Sequence, residues 1–207
     1  MTVEDMHLLS DSDRSEEELA EAASEIAQEA FSSENLHVEP EEVKNYDIVT
    51  YALEDDRPVA FIGAEVLETD DGTRFVYGDK GATLPGHQGN DYYTDGWKKA
   101  LEEAETNLIS MVTQSPVVYD IIDGFSTDIA PPENGREEFE EIRERTYERL
   151  GLESDSYIFN TVDLFGEGAS DGLYPEGQPE GWNENPLTES DYPEEMAAVI
   201  AEVDYEV

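Results

Sequence analysis

Lys80-Gly81-Ala82-Thr83-Leu84-Pro85-Gly86-His87-Gln88-Gly89-Asn90-Asp91 leads through Tyr92-Tyr93 into a segment in which Trp97, Ala100, Leu101 and Ala104 fall on one helical face. A strand end, a glycine-rich loop and a helix N-terminus thus follow one another. That order aims backbone N–H groups and the positive end of a helix at whatever occupies the loop, which suits a pyrophosphate. A turn before a capped helix is the competing reading of Gln88-Gly89, and Asp91 reads as that cap.

Working outward, the chain upstream of the loop has a different period. Short β-rich runs at 47–53, 59–67 and 74–77 are separated by Glu54-Asp55-Asp56-Arg57 and Thr69-Asp70-Asp71-Gly72, which are turn signals and predict an antiparallel meander. Residues 6–9 read as a short first strand. Ser15 and Glu18 have capping-box spacing ahead of Leu19, Ala22, Ala23, Ile26, Ala27 and Ala30, so an amphipathic helix follows.

Downstream, residues 108–113 read as a buried strand, and Ser115-Pro116 supplies a cap and a first-turn proline for a short helix ending at Gly124-Phe125. Residues 136–150 form a charged amphipathic helix stopped by Gly151, and 157–165 a late strand. From Gly166 to Pro193 the chain is rich in Gly, Pro and acids, with isolated Leu173, Tyr174, Trp182, Leu187 and Tyr192. The segment 194–203 reads as a short helix carrying Met196, Val199 and Ile200.

Charge narrows the function classes. The 207 residues hold 53 Asp plus Glu against 11 Lys plus Arg, a formal net charge of −42. Phosphate binding depends on basic side chains releasing counterions, so nucleic acid and anionic membranes are not expected partners. The acids are spread along the chain among apolar positions at core-forming spacings, the composition of a protein adapted to concentrated salt. The expected location is the cytoplasm of a salt-in halophile or, alternatively, a halophilic virus particle. No stretch approaches the roughly 20 apolar residues of a membrane span, and Met1-Thr2-Val3-Glu4-Asp5 lacks the basic start of a signal peptide. With no cysteine, thiolate chemistry is excluded. His7 and His37 form no metal pattern, His87 reads as an exposed loop residue, and the acidic turns lack a calcium-loop register.

The order of strand, helix, three-strand meander, glycine loop, helix, strand and helix ending in Gly-Phe resembles the GNAT superfamily of N-acetyltransferases over residues 3–165. Ala82 to Asn90 is similar to that family's strand end followed by Gln/Arg-x-x-Gly-x-Gly/Ala, with Gln88-Gly89 at the Arg/Gln-Gly step. Tyr119-Asp120-Ile121-Ile122-Asp123-Gly124-Phe125 is similar to its helix closing on Gly-Phe. The resemblance implies an α/β fold with a mixed, mostly antiparallel sheet flanked by helices, over 1–165, and a C-terminal arm over 166–207. It implies acetyl-CoA between the strands at 74–83 and 108–113, held at Thr83, Leu84, Gln88, Gly89, Asn90, Asp91, Tyr92 and Tyr93. An amine would attack the thioester directly, with no covalent enzyme intermediate, in line with the missing cysteine. Two positions depart from the motif: Asp91 stands where it has its second glycine, and Tyr93 where a third small residue is common.

For proton transfer, Glu65 lies on the central meander where a general base is expected, with Asp79 and Tyr77 nearby. Tyr119 stands one position before the tyrosine that protonates the departing thiolate in the family, and Asp120 occupies that place. Two functional readings stay open: an acetyl-CoA-dependent N-acetyltransferase acting on an amine, and a GNAT-fold structural or interaction protein in which cofactor binding is lost. In the second, the arm folds back on its own domain or reaches another subunit, as a homo-oligomer or part of a larger assembly.

Overall fold

The computed structural model describes residues 7–8, 14–30, 38–113, 115–131, 136–153, 156–160 and 195–204. These form a mixed α/β structure whose mostly antiparallel sheet is flanked by helices, and they fall into two compact units. One unit is drawn from Met1–Val66 and Gly78–Glu105, the other from Leu67–Tyr77 and Thr106–Glu206. Among the described residues no helix is long and apolar enough to cross a membrane. The arm at 166–193 and most of the strand expected at 157–165 lie outside the described residues.

In the first unit, helix α1 (Glu16–Ala30) begins at the expected capping box. The Glu18 amide donates to Ser15 Oγ at 3.3 Å and the Ser15 amide donates back to Glu18 Oε2 at 3.1 Å. Those bonds, the backbone one first, hold the Glu18 carboxyl below its ordinary range. The helix buries Leu19, Ala20, Ala23, Ile26 and Ala27. A second helix, α2 (Pro40–Val43), is too short to leave a periodic trace in the sequence.

Strand β1 (His7–Leu8) pairs with β2 (Ile48–Glu54), which turns into β3 (Arg57–Glu68), all antiparallel, and β4 (Arg74–Thr83) follows. Glu54 faces Arg57 across a two-residue loop in which Asp55 and Asp56 have φ of 49° and 62°. Two successive left-handed residues make a type I′ turn, where glycine is strain-free at the second position. Asp56→Gly is therefore expected to stabilise the chain by about 1 kcal/mol, measured as a shift of the denaturant midpoint with unchanged slope. An unchanged or lower midpoint would contradict this turn geometry.

In the second unit, which takes only the Arg74–Tyr77 part of β4, the strand order is β4, β5 (Leu108–Thr113), β8 (Glu195–Val203), β6 (Ser126–Ala130), with β7 (Ile158–Asn160) also pairing β8. Helix α4 (Pro116–Phe125) starts on Ser115 Oγ, which accepts from the Val118 amide at 3.3 Å. Helix α5 (Glu137–Leu150) ends on Gly151 at φ 71°, as the sequence indicates. Strand β6 is absent from the sequence reading because Ser126-Thr127-Asp128 carry no apolar alternation.

The helix expected at 194–203 is corrected: Glu195–Val203 is a strand. It pairs antiparallel with β5 from Leu108↔Glu202 to Thr113↔Ala197 and with β6 and β7 on its other edge. Met196, Val199 and Ile200 suggest helical spacing, yet Ala197, Ala198 and Ala201 are as deeply buried as they are. A stretch apolar on every side is a strand buried on both faces, which periodicity alone does not separate from a buried helix. Arg136 closes the lower end of this sheet, reaching Glu202 at 2.7 Å and Asp128 at 3.3 Å while lying 4.5 Å above the Phe139 ring.

Candidate functional site

The glycine loop joins β4 to helix α3 (Tyr92–Ala104), all within the first unit from Gly78 onward. α3 seats on β4 through Trp97, which is 1% exposed. A Cβ on Gly78 would stand 2.2 Å from the Trp97 ring, so a residue without a side chain is what lets the indole reach the strand. At Gly81 the neighbour is Tyr93, whose ring meets Trp97 edge-on with centroids 6.2 Å apart.

Leaving β4, Thr83 is half-buried and Leu84 is buried. The Leu84 amide donates to the Val59 carbonyl at 2.9 Å, so this predicted cofactor residue serves the strand pairing. The His87 amide then bonds back to the Leu84 carbonyl at 3.0 Å with Gly86 at φ 88°, the pattern of a type II turn with Pro85 in its second place. Gly89 has φ 81°, and nothing lies near a Cβ built on it, so its role is the backbone angle and not space. Asn90 Nδ2 donates to the His87 carbonyl at 3.1 Å and fastens the second half of the loop to the first.

Asp91 takes the N-cap place at φ 59° and makes no side-chain cap bond. The expected capping role is thus corrected. A side-chain cap needs the extended backbone seen at Ser115, and the left-handed angle turns the carboxylate away from the helix amides. Asp91 instead holds the backbone conformation that glycine takes most easily. The first helical bond is from the Asp95 amide to the Asp91 carbonyl at 2.9 Å, which leaves the amides ahead of it outside the ladder. Gln88, Gly89 and Asp91 are exposed, Asn90 and Tyr93 half-buried, and Tyr92 is buried among the core residues of this unit.

Three of the four lysines, Lys80, Lys98 and Lys99, bracket this loop in a chain of net charge −42. Lys99 pairs with Glu102 at 3.2 Å and Lys80 approaches Asp79 at 3.8 Å.

One side chain that no motif singled out meets two of the loop's own residues, Tyr92 and His87. Glu54, at the end of β2, accepts from the Tyr92 hydroxyl and lies 3.1 Å from His87 Nδ1. The Tyr92 hydroxyl, then His87, hold the Glu54 carboxyl below its ordinary range, and burial foremost pushes Tyr92 up to about 12.

Of the proton-transfer residues, Glu65 is half-buried on β3. Asp79 accepts from the Tyr46 hydroxyl at 2.8 Å, and the Tyr46 ring crosses β3 at Gly63. Tyr77 is a buried core residue of the second unit. Tyr119, in the second unit, is 3% exposed and donates its hydroxyl to the Pro131 carbonyl at 2.9 Å. Burial first, then Asp123 and Asp120, raises it to about 12.

No protein-family model matches this sequence, and no curated protein matches it significantly. Solved structures do. The ribosomal-protein-S18-alanine N-acetyltransferase from Escherichia coli is similar with a TM-score of 0.50 at 8% identity, over 98% of this chain and 96% of its own. Naa50 from Arabidopsis thaliana, in complex with the bisubstrate analogue CoA-Ac-MVNAL, gives 0.50 at 12% identity over 95% and 98%. A GNAT-family acetyltransferase from Streptococcus pneumoniae gives 0.50 at 5% identity over 97% and 100%. At these identities the likeness is one of fold.

Proposed function

From the premise that this chain carries the fold of the GNAT N-acetyltransferases, we propose that it binds acetyl-CoA at the loop between β4 and α3 and transfers the acetyl group to an amine. The observation that carries this is the backbone of residues 86–91. Gly86, Gly89 and Asp91 all hold positive φ, and the helix amides ahead of Asp95 are not taken up by an Asp91 cap. That is a donor set with the curvature and polarity to take a pyrophosphate, which supports acetyl-CoA fitting there. The bound group would supply a thioester activated for direct attack. The chain would orient the two substrates, and Glu65 or Asp79 would take the amine proton. Tyr119 keeps its own proton at neutral pH, and its hydroxyl is engaged by the Pro131 carbonyl.

A second reading is a GNAT-fold protein without catalysis. It is favoured by the Tyr93 ring, which lies over β4 at Gly81, and by the exposed carboxylate of Asp91 beside the loop. In either reading the charge belongs to a protein of concentrated salt, in a haloarchaeal cell or one of its viruses.

Calorimetric titration of acetyl-CoA in molar KCl, with Asp91→Gly alongside, decides between them. Saturable wild-type binding is expected, and the glycine variant, with one like charge fewer and no backbone strain, should bind about fivefold more tightly. Absence of binding in both would reject the acetyltransferase reading.

A further inference from the structure

Building on the acetyl-CoA reading, we infer that Glu54 is a positioning residue for the phosphate-facing loop, acting through His87 and Tyr92. The loop is braced at three points, one of them internal. Leu84 is tied to Val59, Asn90 to the His87 carbonyl, and the two side chains flanking Gln88–Asp91, His87 and Tyr92, converge on one carboxylate. Glu54 belongs to neither the loop nor the helix. It stands at the end of β2, 33 to 38 positions earlier, and its side chain is 17% exposed.

The geometry gives this carboxylate a task. Tyr92 has its ring in the core and only its hydroxyl at the loop, so its bond to Glu54 fixes the first turn of α3 against β2. His87 closes the type II turn at the other end of the loop. Holding both ends on one group sets the span over which the amides of residues 88–92 are presented. Gly86 and Gly89 would otherwise let that span vary, and a ligand would have to order it on binding. The charges agree: Glu54 stays ionised and Tyr92 stays protonated, so acceptor and donor are fixed near neutral pH.

The test is an acetyl-CoA titration of Glu54→Ala, His87→Ala, the double variant and His87→Asn, in molar KCl. It is paired with amide-resolved hydrogen exchange of the free proteins. Each alanine single variant is expected to weaken binding about tenfold, the double variant no more than either single, and His87→Asn, which keeps a donor near the Nδ1 position, to recover most of the loss. Exchange at the His87 amide, bonded within the loop, and at the Asp95 amide, which makes the first bond of α3, should quicken in Glu54→Ala. Thermal midpoints within a few degrees of wild type show that the fold is kept. Additive losses, or a Glu54→Ala protein that binds and exchanges like wild type, would overturn the proposal. If the wild type itself binds no acetyl-CoA, the acetyltransferase reading fails by that result. The exchange rates of the free proteins then decide the loop tether alone, and unchanged His87 and Asp95 amides reject it.

Discussion

Lowering KCl from about 2 M to about 0.1 M is expected to cost this chain at least about 5 kcal/mol of stability, a fall in thermal midpoint of about 10–20 °C or outright unfolding. The net charge of −42 leaves most carboxylates with no cation to face. Of the 11 cations, two are already engaged with several acids each, Arg136 with Asp128, Glu138 and Glu202, and Lys44 with Glu17 and Glu41. Salt weakens those pairs, but exposed pairs contribute little each, whereas the excess charge repels throughout the folded volume. A Debye length of roughly 3 Å at molar salt against roughly 10 Å at 0.1 M decides which effect prevails. Calorimetric scans across a KCl series test this, and a midpoint independent of salt would refute it.

Repulsion is visible at single groups. Glu141 on α5 has its carboxyl raised, first by Asp71, then by burial and its neighbours Glu137 and Glu144. A raised acid binds its proton more tightly in the folded state, so its penalty is present above the ordinary carboxylate range and is relieved as pH falls through it. Glu18, Glu54 and Asp71 are held low by hydrogen bonds. Their contribution is present above the ordinary range and lost as pH falls through their folded values. Glu141→Gln should therefore raise the midpoint in dilute buffer and leave it unchanged in molar salt.

What the sequence made legible are the features whose cause lies within a few residues. The reciprocal Ser15–Glu18 bonds, the Ser115 cap, the Gly151 stop, the apolar face of α3 and the strand-loop-helix passage are all local, and all are present. The bounds of β4 were less legible, since Gly78 to Thr83 alternate weakly, and the contacts of Gly78 with Trp97 and of Gly81 with Tyr93 come from α3. Asp91 looked like a cap because caps are recognised by residue type, whereas the backbone angle that forbids the bond is set by the loop. Glu54 read as one more turn acid. Its partnership with His87 and Tyr92 depends on bringing β2 beside the start of α3, a long-range pairing with no periodic signature.

Strand β8 is where that difference weighs most, and Ile200→Asp is expected to cost the second unit at least about 4 kcal/mol, enough to abolish its cooperative unfolding. Ile200 is fully buried and packs with Phe75, Tyr77, Leu108, Phe139 and Ile142. Met196 and Ala198, four and two positions earlier on the same side of the strand, meet Tyr147 and Leu152. Ile200 stands opposite Ser110 of β5 on one edge of the strand and Ala130 of β6 on the other. A carboxylate there would enter a fully buried apolar cluster, so it is either protonated at a cost or expelled with the strand. Val117→Asp is the control, because Val117 is 56% exposed on α4 and a charge there should change stability by less than about 0.5 kcal/mol. Urea unfolding of both variants in molar KCl separates two architectures. If residues 195–203 were the tip of a detachable arm, Ile200→Asp would unfold like wild type. If they are the strand between β5 and β6, the variant loses the second unit's transition while Val117→Asp keeps it, and the C-terminal segment is then a condition of the fold itself.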